Sequence, residues 1–137
     1  MRYLKWVGVA VGGVVYVADM ENSRIQVFLP DGQYVSEWRG VHRPDHILQG
    51  KDGRFYLAEL GMKTGLAPSD PAPTPLSNLS GIKIMTSAGN WLGGWDMGSD
   101  ESADLIAVHA LGIDSVGDLY VGETLEGARI LKYARVR

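Results

Sequence analysis

The stretch HALGIDSVGDLYVGE, residues 109–123, contains the pattern from which the fold of this chain can be read. It consists of an apolar run, a glycine-containing turn at residues 114–118, and an alternating apolar run that ends on Glu123. Two such runs joined by a short connection predict two antiparallel strands. Similar runs end on Asp19 and Glu59, so the chain repeats one unit three times.

The repeat keeps a constant spacing. Each copy reads apolar, Tyr, apolar, small, acid, and the first two tyrosines, Tyr16 and Tyr56, are 40 residues apart. In the first two copies an isoleucine lies 13 residues before a tryptophan; these pairs are Ile25 with Trp38 and Ile82 with Trp95. A period near 40 with four short β-rich runs per unit is typical of a propeller blade. The sequence therefore predicts an all-β chain that forms a segment of a β-propeller.

The predicted segment has about three four-stranded blades in a single domain, and the last blade is incomplete. Blade one is expected at residues 1–40, blade two at 41–98 and blade three at 99–137. Blade two includes a Pro-rich insertion at 62–80, which holds four of the six prolines. This insertion is interpreted as a solvated extended loop, and the alternative is a lid over one face of the propeller. Eleven strands are expected in total.

Composition excludes several classes of partner. The chain has 137 residues and a formal net charge of −3, so it lacks the clustered basic charge of a nucleic-acid-binding surface. Stretches of 18 apolar residues are absent, which predicts a soluble chain without a membrane partner. Residues 1–6 are too short and too charged for a signal peptide. Because cysteine is absent, the sequence does not indicate a redox compartment.

Two stretches resemble known proteins. Residues 16–38, YVADMENSRIQVFLPDGQYVSEW, are similar to the NHL repeat. Residues 109–123 and the later run ILKYARV, together with the Pro-rich insertion, resemble bacterial proteins similar to peptidyl-α-hydroxyglycine α-amidating lyase. The resemblance implies a six-bladed propeller, of which this chain supplies half. A homodimer of two such halves would restore six blades.

The resemblance also implies a metal site. In the lyase family, zinc is held by histidines that open the inner strands, and calcium has a structural role. His109 matches such a strand-opening position; its equivalents are Asp45 in blade two, followed by His46, and Lys5 in blade one. We therefore predict His109, His46 and Asp45 as metal ligands for zinc or calcium. The alternative for His109 is a partly buried imidazole bonded to a carbonyl group.

Recurring charged residues predict pairing within each blade. Asp19, Glu59 and Glu123 end equivalent strands, where they are expected to accept backbone N–H bonds. The alternative is that these acids bind a metal, because gluconolactonase-like propellers place carboxylates round a central calcium. Arg24 and Arg129 occupy matching positions, so we expect them to pair with these acids. The repeated Tyr and Trp residues are expected to fill the space between blades.

Two classes of function fit these features. The first is a propeller scaffold that binds a peptide or small-molecule ligand and is catalytically incomplete alone. The second is half of a metal-dependent C–N lyase of the amidating type, or of a lactonase-like enzyme, completed by dimerisation. Motifs for a Ser-His-Asp triad, a phosphate loop or a nucleotide site are absent from the sequence.

Overall fold

The structure, a computed structural model, describes residues 6–10, 12–60, 80–96, 108–124 and 128–136. These residues form eleven strands and one short 3₁₀ helix, Met20–Asn22. The strands are β1 (Trp6–Val9), β2 (Val15–Asp19), β3 (Arg24–Phe28), β4 (Tyr34–Trp38), β5 (Pro44–Gln49), β6 (Phe55–Glu59), β7 (Gly81–Met85), β8 (Trp91–Asp96), β9 (Val108–Ile113), β10 (Leu119–Glu123) and β11 (Ile130–Tyr133). Apart from Ser80, the Pro-rich insertion lies outside the described residues.

The strands pair as three antiparallel meanders. Two sheets have four strands, in the orders β1-β2-β3-β4 and β5-β6-β7-β8, and the third has three, β9-β10-β11. Each sheet therefore contains strands that follow one another along the chain, as in a propeller blade. The predicted all-β propeller segment, with an incomplete third blade within the described residues, is confirmed. We refer to the sheets as blades one, two and three.

The repeat found in the sequence is also the repeat of the strand register. Ala18 pairs with Ile25, Ala58 with Ile82, and Gly122 with Ile130, so the second and third strands are aligned in the same way in all three blades. This equivalence lets any residue be compared with its counterparts in the other blades. The first residue of each pair is small, and in the first two blades this residue, Ala18 or Ala58, is fully buried.

Two apolar clusters hold the blades together. The first lies between blades one and two and contains Tyr16, Trp38 and Phe55, whose rings are 4.5 to 5.2 Å apart between centroids. The second lies between blades two and three, where Trp95 packs on Tyr133 at 5.0 Å. Aromatic pairs at these distances add to the stabilisation that comes from apolar burial. The expectation that the repeated aromatic residues pack between blades is confirmed for these side chains.

Two equivalent serines join neighbouring blades. The buried Ser80 hydroxyl donates to the backbone carbonyl of Glu59 at 3.0 Å and accepts the N–H of Val108 at 2.8 Å. Ser23 accepts the N–H of Arg43 at 3.2 Å. The equivalent of Val108 in blade two is Pro44, which has no N–H, and so the preceding residue donates instead. These bonds fix one blade against the next at the ends of their inner strands.

In the described part of the chain, helical structure is limited to the short turn in blade one. Across the described residues there is no helix with the length and apolar character needed to cross a membrane.

Candidate functional site

Most of the predicted site residues lie at one end of the blades. At this end the inner strands β1, β5 and β9 begin, and the second strands β2, β6 and β10 end, because these strands are antiparallel. We call it the entry end. The hairpin turns at residues 50–54 and 114–118 lie at the opposite end.

A β-bulge opens both β5 and β9 at the entry end. Asp45 is the extra residue between the pairs that Pro44 and His46 make with β6. His109 is the extra residue that follows the pair of Val108 with β10. A bulge turns its extra residue out of the ladder and re-aims its side chain. The two bulges therefore place Asp45 and His109 at equivalent positions in neighbouring blades, which agrees with the alignment made from the sequence.

Asp45 and His109 form a carboxylate–imidazole pair across the two blades. Nδ1 of His109 lies 2.5 Å from Oδ2 of Asp45. The Asp45 side chain is 1% exposed and that of His109 is 45% exposed. The described residues offer no hydrogen bond to the second ring nitrogen, Nε2, of His109. A buried acid thus orients a half-exposed imidazole, and Nδ1 of His109 bonds to this carboxylate rather than to a carbonyl group.

His46 has a different role from His109. Its Nδ1 accepts the backbone N–H of Leu111 at 3.2 Å, which links β5 directly to β9. Burial lowers the pKa of His46, the Asp45 carboxylate raises it, and the His109 imidazole lowers it again. Because Nδ1 accepts a hydrogen bond, His46 is neutral in this arrangement. The structure thus brings His46 close to the pair while using its Nδ1 to join two blades.

The described residues do not assemble a complete metal site. Groups of three or more His, Asp or Glu side chains with the geometry to hold a metal are absent from that part of the chain. A catalytic zinc needs about three protein ligands and an open position. Among the described residues, the imidazole of His109 is half-exposed, whereas Nδ1 of His46 already accepts a backbone N–H of β9, so the predicted set His109, His46 and Asp45 stays a prediction. Lys5, the equivalent position in blade one, lies outside the described residues.

The recurring acids are each matched by a cation. Arg24 Nε is 2.8 Å from Asp19, and Arg129 Nε is 2.5 Å from Glu123, so the predicted pairing of these arginines is confirmed. In blade two the arginine position is occupied by Gly81, and Lys83 instead lies 3.1 Å from Glu59. Lys83 was not predicted. The signal for it was the alternation of the strand, which puts Lys83 two residues after Gly81 on the same face.

Glu59 also fulfils the expected backbone role. Its Oε1 accepts the N–H of His42 at 3.0 Å, whereas Asp19 bonds to the side chains of Asn22 and Arg24. His42 is half-buried. Burial, and then the Lys83 charge, lowers the pKa of His42. The acids therefore help to hold the loops of the entry end in place.

Sequence reasoning did not predict a pocket at the opposite end. This pocket, of about 120 Å³, lies between the hairpin turns of blades two and three and is lined by residues 50–52 and 113–117 together with Tyr56 and Arg135. Tyr56 donates to Asp52 at 3.2 Å, and its pKa is raised by burial first and by this carboxylate second. Two of the polar groups that line this pocket, Tyr56 and Asp52, thus already bond to each other.

Comparisons with known proteins support the propeller. The family described as NHL repeat matches residues 7–28, which run from β1 to the end of β3. A protein of unknown function from Bacteroides caccae superposes with a TM-score of 0.71 at 13% identity, covering 96% of this chain and 45% of that one. Virginiamycin B lyase from Staphylococcus aureus gives a TM-score of 0.44 at 16% identity, covering 99% of this chain and 57% of that one.

These comparisons give the fold and leave the activity open. A search of curated proteins found no match. The chain spans about half the length of the two solved structures. At 13% identity, the similarity to the Bacteroides caccae structure informs on fold alone. The blade topology identifies this chain as a β-propeller segment, and its residues 7–28 match the NHL repeat.

Proposed function

We propose that this propeller segment is a scaffold that binds a peptide or small polar ligand at its entry end. The observation that carries the proposal is the pair formed by Asp45 and His109, in which a buried carboxylate fixes a half-exposed imidazole. An imidazole held in this way presents one hydrogen-bonding nitrogen in a fixed direction. A polar group held in a fixed position on an all-β frame is a typical element of a ligand site.

Charge pairing at the entry end supports a neutral or mixed-charge ligand. The acids of the three blades are each next to an arginine or lysine, so the described part of this end lacks a large field of one sign. Such a surface would not select strongly for an anion or a cation. Hydrogen bonding to His109 would then contribute more to selectivity than net charge.

The test is a nuclear magnetic resonance titration of the purified chain. The probes are a panel of short unmodified peptides, small carboxylates and sugar lactones. We expect shifts centred on Asp45 and His109 for at least one class, and their loss in His109→Ala. The matched control is His42→Asn, which removes a half-buried histidine of the same end and should leave the shifts unchanged. Shifts centred on residues 50–52 and 113–117, or none from any class, would reject the proposal.

A second candidate is half of a metal-dependent lyase or lactonase completed by dimerisation. One observation favours it: Asp45 bonds to Nδ1 of His109 and leaves Nε2 for a ligand, and a carboxylate commonly orients a metal-bound histidine in this manner. The described residues of one copy supply one such imidazole, and a second copy would add one more. The set is still short of three, so we derive no catalytic step from it.

Metal content separates the two candidates. The lyase-like candidate predicts zinc that copurifies in a fixed ratio to protein and is lost in His109→Ala but retained in His42→Asn. Elemental analysis by mass spectrometry gives this ratio directly. If the protein binds a panel ligand but takes up no zinc, the scaffold function is supported and the lyase-like candidate is rejected.

A further inference from the structure

One face of blade three is uncovered. Ile130 is 79% exposed, whereas its equivalents Ile25 in blade one and Ile82 in blade two are 0% and 3% exposed. Those two residues are buried because the following blade packs on them. Tyr120 lies on the same face of blade three and is half-buried, as is its equivalent Tyr56 in blade two. Blade three therefore presents an apolar face of the kind that another blade covers elsewhere in the molecule.

Blade one presents the complementary face. Val7 is 58% exposed, and its equivalent in blade two, Ile47, is 2% exposed. The register gives this equivalence, since Val7 pairs with Val17 and Ile47 pairs with Leu57. Ile47 is buried because it packs against blade one. The uncovered face of blade one is thus the type of surface that receives the preceding blade.

The chain carries both halves of an interface that it already forms twice. Blade one packs on blade two, and blade two on blade three, by the same pair of faces. Repeat proteins bury each unit against its neighbours and leave terminal faces that need a cover. Strand β11 is also the edge of its sheet, with no fourth strand beside it in the described residues. An exposed edge next to an apolar face favours association with a further blade.

We propose that the occupant of both faces is a second copy of this chain. Blade three of one copy packs on blade one of the other, and the reverse contact closes a two-fold ring. Tyr120 of one copy would then meet Val15 of the other, as Tyr16 meets Phe55 within the chain at 4.5 Å between ring centroids. Lys132 lies on the same face of blade three, and its charge is neutralised by Asp118 at 3.0 Å. The inference is argued from the uncovered faces of blades one and three, so it holds whether or not the entry end binds a ligand.

The first test is the mass of the purified chain by sedimentation equilibrium. A closed ring predicts a species of about twice 14.9 kDa at all concentrations well above the dissociation constant, without larger polymers. A chain that remains monomeric at the highest soluble concentration would overturn the proposal. Such a result would mean that any cover for these faces is supplied by a different chain or by further residues of the same protein.

The second test locates the interface. Ile130→Glu and Val7→Glu each put a charge on one uncovered face, and each should weaken self-association at least roughly tenfold. Both side chains are exposed in a single copy, so the variants should fold. The control is Leu92→Glu, since Leu92 is 50% exposed on the outer strand of blade two and lies on neither uncovered face. The assigned faces would be wrong if Leu92→Glu weakened self-association equally, or if neither Ile130→Glu nor Val7→Glu weakened it.

Mixing the variants tests the pairing of unlike faces. In a mixed dimer of Ile130→Glu with Val7→Glu, both charges fall in one interface and the other interface is unchanged. The mixture should therefore associate more strongly than either variant alone. If the contact instead joined two like faces, each variant would keep one unchanged pair of faces and would dimerise alone, and mixing would add nothing.

Discussion

Asp45 and His109 occupy equivalent positions in neighbouring blades, and their side chains are in contact, with 2.5 Å between Oδ2 and Nδ1. Each is the extra residue of a β-bulge, so the same backbone device presents an acid in one blade and an imidazole in the next. The contact links the inner strands of two blades at the end where the predicted site residues gather. The pair therefore belongs both to the proposed site and to the contact between blades two and three.

The pair should be energetically coupled. In a double-mutant cycle with Asp45→Ala and His109→Ala, we expect a coupling energy of about 1 to 2 kcal/mol, because the carboxylate is buried and the hydrogen bond is charge-assisted or strongly polar. Urea unfolding of the four proteins gives this value. The control cycle uses Glu37 and Arg39, which are 2.9 Å apart and more exposed, and should give a smaller coupling energy because solvent screens the pair. A coupling no larger than that of the control would contradict the contact.

Stability should decline as the pH falls below about 6.5. Burial lowers the pKa of His46 and of His42 from an ordinary value of 6.5. The unfolded chain then binds protons more readily than the folded chain, so the stabilisation is complete above pH 6.5 and is lost as the pH falls through the folded-state values. Each histidine contributes a slope of at most about 1.4 kcal/mol per pH unit. Urea unfolding between neutral and mildly acidic pH measures the slope.

Two asparagine substitutions provide the control for this pH dependence. In His46→Asn the amide oxygen can still accept the N–H of Leu111, but the side chain no longer titrates. The double variant His42→Asn, His46→Asn should flatten the dependence between pH 7.5 and the titration range of the carboxylates. An unchanged slope in the double variant would assign the effect to other groups.

Two equivalent glycines should respond differently to alanine. Gly32 and Gly89 occupy the same turn position with φ of +90° and +83°, so alanine at either costs about 1 to 2 kcal/mol in backbone strain. A Cβ at Gly89 would overlap the Trp38 ring, whereas a Cβ at Gly32 meets no atom within 4 Å. Gly89→Ala should therefore be destabilised by a further 1 to 3 kcal/mol or so. Equal losses in urea unfolding would show that the Trp38 contact is unimportant.

The serines between blades should also differ in strength. Ser80→Ala removes two hydrogen bonds and leaves the buried N–H of Val108 without its serine acceptor, so we expect a loss of about 1 to 3 kcal/mol. Ser23→Ala removes one longer bond at a half-buried position and should cost about 0.5 to 1 kcal/mol. Thermal or urea unfolding compares them. A larger loss for Ser23→Ala would mean that the blade interfaces are not held as the hydrogen bonds suggest.

Much of the fold could be predicted because it depends on local patterns. Alternation of apolar and polar residues sets the faces of each strand, and the glycine turns set the register of each hairpin. The pairing of Arg24 with Asp19 and of Arg129 with Glu123 followed from the same repeat, since each pair lies within one blade. The equivalence of Asp45 and His109 was visible for the same reason.

Contacts between blades could not be predicted in this way. Asp45 and His109 are 64 residues apart, and their contact depends on two bulges and on how closely one blade packs on the next. The bond from Leu111 to His46 and the bridge through Ser80 depend on the same packing. The repeat thus predicted the blades and their register, because each hairpin is formed by residues that are close in the sequence. The partners of His46, His109 and Ser80 were fixed by long-range packing, which a repeat pattern does not specify.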